Sequence, residues 1–134
     1  MEMTMTNHTL VDASVLIGLW NEGDLHHRRA EELMKSIEEP LITDYLFDEF
    51  LGVTTRKYSR GRALQTGNEL LSNGTQMATI GPVEFIHAWE LFQHSKTLSF
   101  TDCTTIAIMR SLGITHIVTF DKAFDSIEGI TVVN

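Results

Sequence analysis

Four carboxylates stand where chemistry is possible: Asp12, Glu49, Asp102 and Asp121. Asp12 closes the first apolar run in 9-TLVDASVLIGLW-20, and Asp121 closes a later one in 116-HIVTFDKAFD-125. Glu49 lies inside the apolar stretch 44-DYLFDEFLGVTTRKYS-59 beside Asp48, and Asp102 opens the mostly apolar 102-DCTTIAIMRSL-112. Acids brought together repel. At an effective dielectric near 20, two charges about 4 Å apart cost about 4 kcal/mol. Such a cluster must stay partly protonated or hold a cation. Oxygen ligands without His or Cys favour a hard ion, Mg2+ or Mn2+.

Each acid also has an ordinary structural reading. An acid after a strand is often a turn former or helix cap, which serves for Asp12, and for Asp121 ahead of Lys122 to Phe124. Asp102 in a first helical turn gains roughly 0.3–1 kcal/mol from the helix dipole. Glu49 beside Asp48 suits a solvated helix face. The remaining chemistry-bearing residues are poorer candidates. His26 and His27 are adjacent, so on a helix they point about 100° apart and cannot share a metal. Ser14 and the six histidines show no triad spacing, and Cys103 begins an apolar helix and reads as core. Gly18, Gly23, Gly52, Gly61 and Gly67 are scattered and form no phosphate-binding loop.

The elements that must position these acids follow from hydrophobic period and punctuation. Short apolar runs at Thr9–Val11, Leu41–Thr43, Gln76–Ile80, His116–Thr119 and Ile130–Val133 predict strands. Between them, helical patterns cover Val15–Trp20, Asp24–Glu39, Asp44–Ser59, Gly61–Leu71, Pro82–His94 and Asp102–Leu112. Asp24 serves as an N-cap, Pro40 as a stop, and Asn73-Gly74 as a turn. Strands alternating with helices predict a three-layer α/β/α fold around a mostly parallel sheet of about five strands. Ligands of such sheets bind beyond the carboxyl ends of the strands, which places Asp12 at the active edge by topology alone.

Composition bounds the rest. With 134 residues, 43% hydrophobic and 21% charged, the chain is expected to be one globular domain over 1–134, residues 1–8 forming a loose leader. Met1, Met3 and Met5 leave the true start open. A single cysteine excludes an internal disulfide and suits a reducing cytoplasm. No signal peptide is expected, and no run approaches the roughly 18 apolar residues that cross a membrane. The net charge of −8 opposes non-specific attraction to phosphate, unless bound cations neutralise the acids. Against that background four cations gather within seven positions: Arg56, Lys57, Arg60 and Arg62. A continuous helix would set Glu49, Arg56 and Arg60 on one face, where the cations could guide a phosphate backbone, although cations also suit a helix end.

Taken in order, 10-LVDASVLIGLW-20, 24-DLHHRRA-30, 43-TDYLFDEFL-51, 98-LSFTDCTTIAIMRSLGI-114 and 117-IVTFDKAF-124 resemble the PIN-domain family, and more narrowly its VapC-type toxin ribonucleases. The resemblance implies metal-dependent hydrolysis of RNA phosphodiester bonds, with Mg2+ as cofactor and Mn2+ as a substitute. It implies Asp12, Asp102 and Asp121 as metal-holding acids, with Glu49 completing the catalytic set. Ser14, Thr101 and Thr119 match the family's small hydroxyl residues that steady the acids. Family members often carry His or Asp two residues after the last acid, where this chain has Ala123; Asp125 is the substitute at hand. An antitoxin partner and a homodimer are implied as well. Two other classes compete: an aspartate-based phosphoryl-transfer domain, which usually wants an acid where Ser14 stands, and an inert PIN-like binding module, which typically loses acids retained here.

Overall fold

The computed structural model describes Met5 and residues 7–134. Its strands are β1 (Thr9–Val11), β2 (Pro40–Thr43), β3 (Gln76–Ala78), β4 (His116–Val118) and β5 (Thr131–Val133). Its helices are α1 (Ala13–Trp20), α2 (His27–Lys35), α3 (Asp44–Lys57), α4 (Arg60–Ser72), α5 (Pro82–His94) and α6 (Phe100–Leu112), with a 3-10 turn at Lys122–Phe124. The strands lie in the order β3-β2-β1-β4-β5, and every pairing is parallel.

Alternation along the strands divides the core in two. Leu10, Leu41 and Ile117 bury against Ala88 of α5 and Cys103, Ile106 and Met109 of α6. Val11, Ile42 and Val118 point the other way, onto Val15, Ala30, Phe50 and Leu70 of α1 to α4. Helices therefore cover both faces, giving the three-layer fold expected from the sequence, with a sheet that is wholly parallel. From central β1 the chain winds outward through β2 to β3, then returns to the opposite side as β4 and β5. It leaves β1 into α1 on the second face, but leaves β4 toward Phe124, which is buried in the first. The β1–β4 boundary is thus a topological switch point, where a crevice opens at the strand ends.

Several boundaries differ from expectation for identifiable reasons. The second helix begins at His27 because the Asp24 carboxylate accepts the His26 N–H at 2.9 Å, making a turn in place of a cap. It ends at Lys35, where the Ser36 hydroxyl donates to the Leu33 carbonyl at 2.7 Å. β3 stops at Ala78 because its partner β2 ends at Thr43, opposite it. The Ile80 N–H then donates to Asp44 at 3.0 Å. The helix expected over Asp44–Ser59 ends at Lys57, and Ser59 caps α4 by accepting the Arg62 N–H at 3.0 Å. Of the leader expected over residues 1–8, Met5, Asn7 and His8 are described. Met5 N–H donates to the Leu112 carbonyl at 2.7 Å, and the His8 ring contacts Gln76 at 2.7 Å. Residues 1–4 and 6 lie outside the described residues. No helix is long and apolar enough to cross a membrane among the described residues.

Candidate active site

At the switch point Asp12 follows β1 directly, and its N–H continues the ladder by donating to Val118 of β4 at 3.0 Å. Its side chain is 5% exposed and makes no cap bond to α1. Two hydroxyls hold one of its oxygens instead: Thr119 at 2.7 Å and Ser14 at 2.9 Å, both donating to Oδ2. Each hydroxyl also grips the next loop, Ser14 accepting the Phe120 N–H at 3.1 Å and Thr119 the Asp121 N–H at 2.9 Å. This lattice locks the ends of β1 and β4 together and sets Asp121 beside Asp12. Asp121 is exposed and also accepts the Ala123 N–H at 2.9 Å, so it caps the 3-10 turn while remaining open to solvent.

Asp102 arrives from α6. Ser99 and Asp102 form a reciprocal capping box: each backbone N–H donates to the other's side chain at 3.0 Å. The box leaves the second Asp102 oxygen, Oδ1, outside the cap. Glu49 arrives from α3, a helix capped by Thr43 through the Leu46 N–H at 3.0 Å.

The charges of the four acids reach one another. Burial pushes the Asp12 carboxyl up, against the pull of the Thr119 and Ser14 hydroxyls, and the Asp121 charge adds to the rise. Asp102 is raised by burial and by the charges of Asp12 and Asp121, while its bonds with Ser99 oppose the rise. Glu49 is pushed up to about 7 by burial and then by Asp12, Asp102, Asp121 and Asp48. All four lie at one edge of the sheet and feel one another's charge. Among the described residues, however, no three His, Cys, Asp or Glu side chains are grouped tightly enough to enclose an ion as they stand. The donor set nevertheless suits a hard cation: carboxylate oxygens only, mutually repelling, with Asp12 oriented by hydroxyl donors.

The other expected residues divide. Ser14 and Thr119 bind Asp12 directly. The Thr101 hydroxyl bonds to none of the four acids; its carbonyl accepts from Thr104 at 2.6 Å and Thr105 at 3.1 Å. Asp125 is exposed beyond the 3-10 turn, with its N–H on the Lys122 carbonyl at 3.0 Å. The basic cluster does not share one helix face, because the break at Tyr58 puts Arg60 and Arg62 on a separate helix. Lys57 pairs with Asp24 at 3.0 Å, and Arg62 donates to Asn21 at 3.2 Å and lies over the Tyr58 ring. Arg56 alone remains on the Glu49 face of α3. Its guanidinium reaches back over Gly52, 3.3 Å from where a Cβ would stand, so the missing side chain gives it room. The Ser99 partner of Asp102 went unnoticed in the sequence, although 99-SFTD-102 has the spacing of a capping box.

The wholly parallel sheet thus carries a hydroxyl-braced aspartate at its switch point, with three further acids around it. The chain belongs to the PIN domain family, whose pattern it matches over residues 9–130. Among individual relatives, it is 29% identical over 119 residues to the 23S rRNA-specific endonuclease VapC20 of Mycobacterium tuberculosis, covering 87% of this chain and 91% of that one. The crystal structure of M. tuberculosis VapC20, described as a sarcin-ricin loop cleaving toxin, superposes with a TM-score of 0.81 at 26% identity, covering 88% of this chain and 93% of that one. The VapBC2 structure from Rickettsia felis, bound to a promoter DNA fragment, shares the fold with a TM-score of 0.71 at 12% identity, over 95% of this chain and 98% of that one.

Proposed function

We propose that this protein is a divalent-metal-dependent endoribonuclease, the toxin of a toxin–antitoxin pair acting in the cytoplasm. The observation that carries the reading is the braced Asp12 at the β1–β4 boundary, within electrostatic reach of Glu49, Asp102 and Asp121. Asp12, Asp102 and Asp121 would hold Mg2+ or Mn2+, with Glu49 at the rim. When bound, the ion supplies Lewis-acid polarisation of the phosphate and activation of the attacking water. Ser14 and Thr119 fix the direction in which Asp12 presents its free oxygen. Glu49, pushed up to about 7 without metal by burial and by the neighbouring acids, would be lowered by a bound cation and left as a carboxylate able to orient the attacking water. Arg56 offers a charged donor for a neighbouring phosphate.

The likeness to VapC20 makes structured ribosomal RNA, with the sarcin-ricin loop first, the substrate to try. The likeness to toxin–antitoxin complexes supports an antitoxin partner. Purified protein should cleave that RNA with Mg2+ or Mn2+, stop with a chelator, and lose activity as Asp12→Asn. Cleavage undiminished by both changes would reject the reading.

A second copy of the chain is the further proposed partner. Inward, α5 buries Ala88, while outward it exposes Val83, Phe85, Ile86, Trp89 and Phe92, from 39% to 60%. A helix apolar on two faces belongs between two packed layers. One uncharged stripe can pack on itself about a twofold axis. Sedimentation of the wild type should show a dimer, and Ile86→Glu with Trp89→Glu a folded monomer.

A further inference from the structure

The tandem histidines are not equivalent. His27 is spent on structure: its ring nitrogens meet the Gly18 carbonyl at 2.8 Å and Glu31 at 3.3 Å. The exposed ring of His26 instead stacks on Phe120, with centroids 4.7 Å apart and planes 26° from parallel. Phe120 lies between Thr119, which braces Asp12, and Asp121, and its own N–H is held by Ser14. The stack is therefore built on the same lattice that positions the acids.

The loop carrying His26 is also fixed. The His26 N–H donates to Asp24 at 2.9 Å, and its carbonyl accepts from Ala30 at 2.9 Å. Asp24 is in turn anchored by Lys57 at 3.0 Å. Gly18 lets the loop approach α1 closely, since a Cβ there would stand 3.3 Å from the His26 carbonyl. Next to His26 in the chain, Leu25 is 91% exposed. A fixed aromatic ring with one face covered and the other open is a platform for another flat ring.

We infer that His26, backed by Phe120, is a stacking platform for one unpaired base of the RNA substrate beside the phosphate that is cleaved. Resting on the ribonuclease reading, this makes His26 a positioning residue that sets which phosphate meets the acids. Every base has a π-face, so the platform selects an unpaired base at a fixed place and tolerates its identity.

The test uses the full-length protein with Ca2+ in place of Mg2+, a larger hard cation that neutralises the acids while supporting little cleavage, so that RNA is bound and cut slowly. Affinity for short unstructured RNA and for a sarcin-ricin hairpin is read by fluorescence anisotropy. His26→Ala should weaken binding about 5- to 150-fold, the equivalent of one base stack. His26→Phe keeps a ring and should restore affinity. An abasic scan should find one position at which base removal weakens binding to the His26 protein and has no effect with His26→Ala, a coupling a merely structural role would not give. Equal affinities, or an abasic profile unchanged by His26→Ala, overturn the platform and leave the ribonuclease reading intact. Failure of either RNA to bind overturns both.

Discussion

The β1–β4 corner and the start of α6 each place an aspartate within reach of the other's charge, by different means. The Asp12 carboxylate makes no cap bond to the helix that follows it; it is held instead by the hydroxyls of Ser14 and Thr119. Asp102 belongs to a capping box, so one carboxylate both caps a helix and lies within reach of the Asp12 charge. Identical residues at comparable places in the fold thus carry different obligations. Asp12 is free to be all chemistry. Asp102 is chemistry and structure at once, and substitutions at the two positions should separate those roles.

The largest effect should come from Asp12→Asn, which removes charge and keeps shape. RNA cleavage by purified protein should fall to background, while the metal-free melting temperature stays level or rises as repulsion is relieved. Ser14→Ala and Thr119→Val leave all four acids in place. Each should cost roughly 10- to 100-fold in metal affinity or activity, the usual penalty for loosening a ligand's supports. Isothermal calorimetry would read it.

Next comes pH. Glu49 is raised from 4.5 to about 7, and Asp12 and Asp102 are raised as well. A raised acid favours the folded protein below its unfolded pKa and loses that contribution as pH climbs through the folded one. In chelator, stability should therefore decline between about pH 4.5 and 7. The Glu49 share is at most about 3 kcal/mol and is reduced further by solvent screening. Chemical denaturation across that range should show the decline, and Glu49→Gln should flatten it. Smaller still, Asp102→Ala should unfold about 1 kcal/mol more easily than Asp102→Asn, which keeps the cap acceptor. Both variants should lose cleavage. Arg56→Gln should lower the log–log salt slope of single-strand RNA binding by about 0.7, the value for one phosphate contact.

The strand–helix alternation and the position of Asp12 were legible because they depend on neighbours close in the chain or on parallel topology. The roles of Ser14 and Thr119 came only from the family resemblance, since Thr119 is remote from Asp12 in sequence. Boundaries failed where a side chain competed for backbone groups, as Asp24 does at His26 and Asp44 at Ile80. The basic cluster is split because Ser59 caps a new helix, close to where the sequence already placed one at Gly61, so the continuous helix needed to put Arg60 on the Glu49 face does not form. The His26–Phe120 stack joins residues remote in sequence, and only the closure of the sheet brings them together. Metal occupancy depends on how the acids draw together around an ion, and neither spacing nor period encodes that.

The central claim is that these acids form a cation site centred on Asp12, and Mn2+ binding tests it most directly. Folded wild-type protein at neutral pH, titrated with Mn2+ and followed by electron paramagnetic resonance of the free ion, should bind Mn2+ saturably and release it to excess Mg2+. Asp12→Asn, folded to the same extent, should lose that binding. A folded wild type that leaves the free Mn2+ signal undiminished, or an Asp12→Asn variant that binds equally well, would contradict the account.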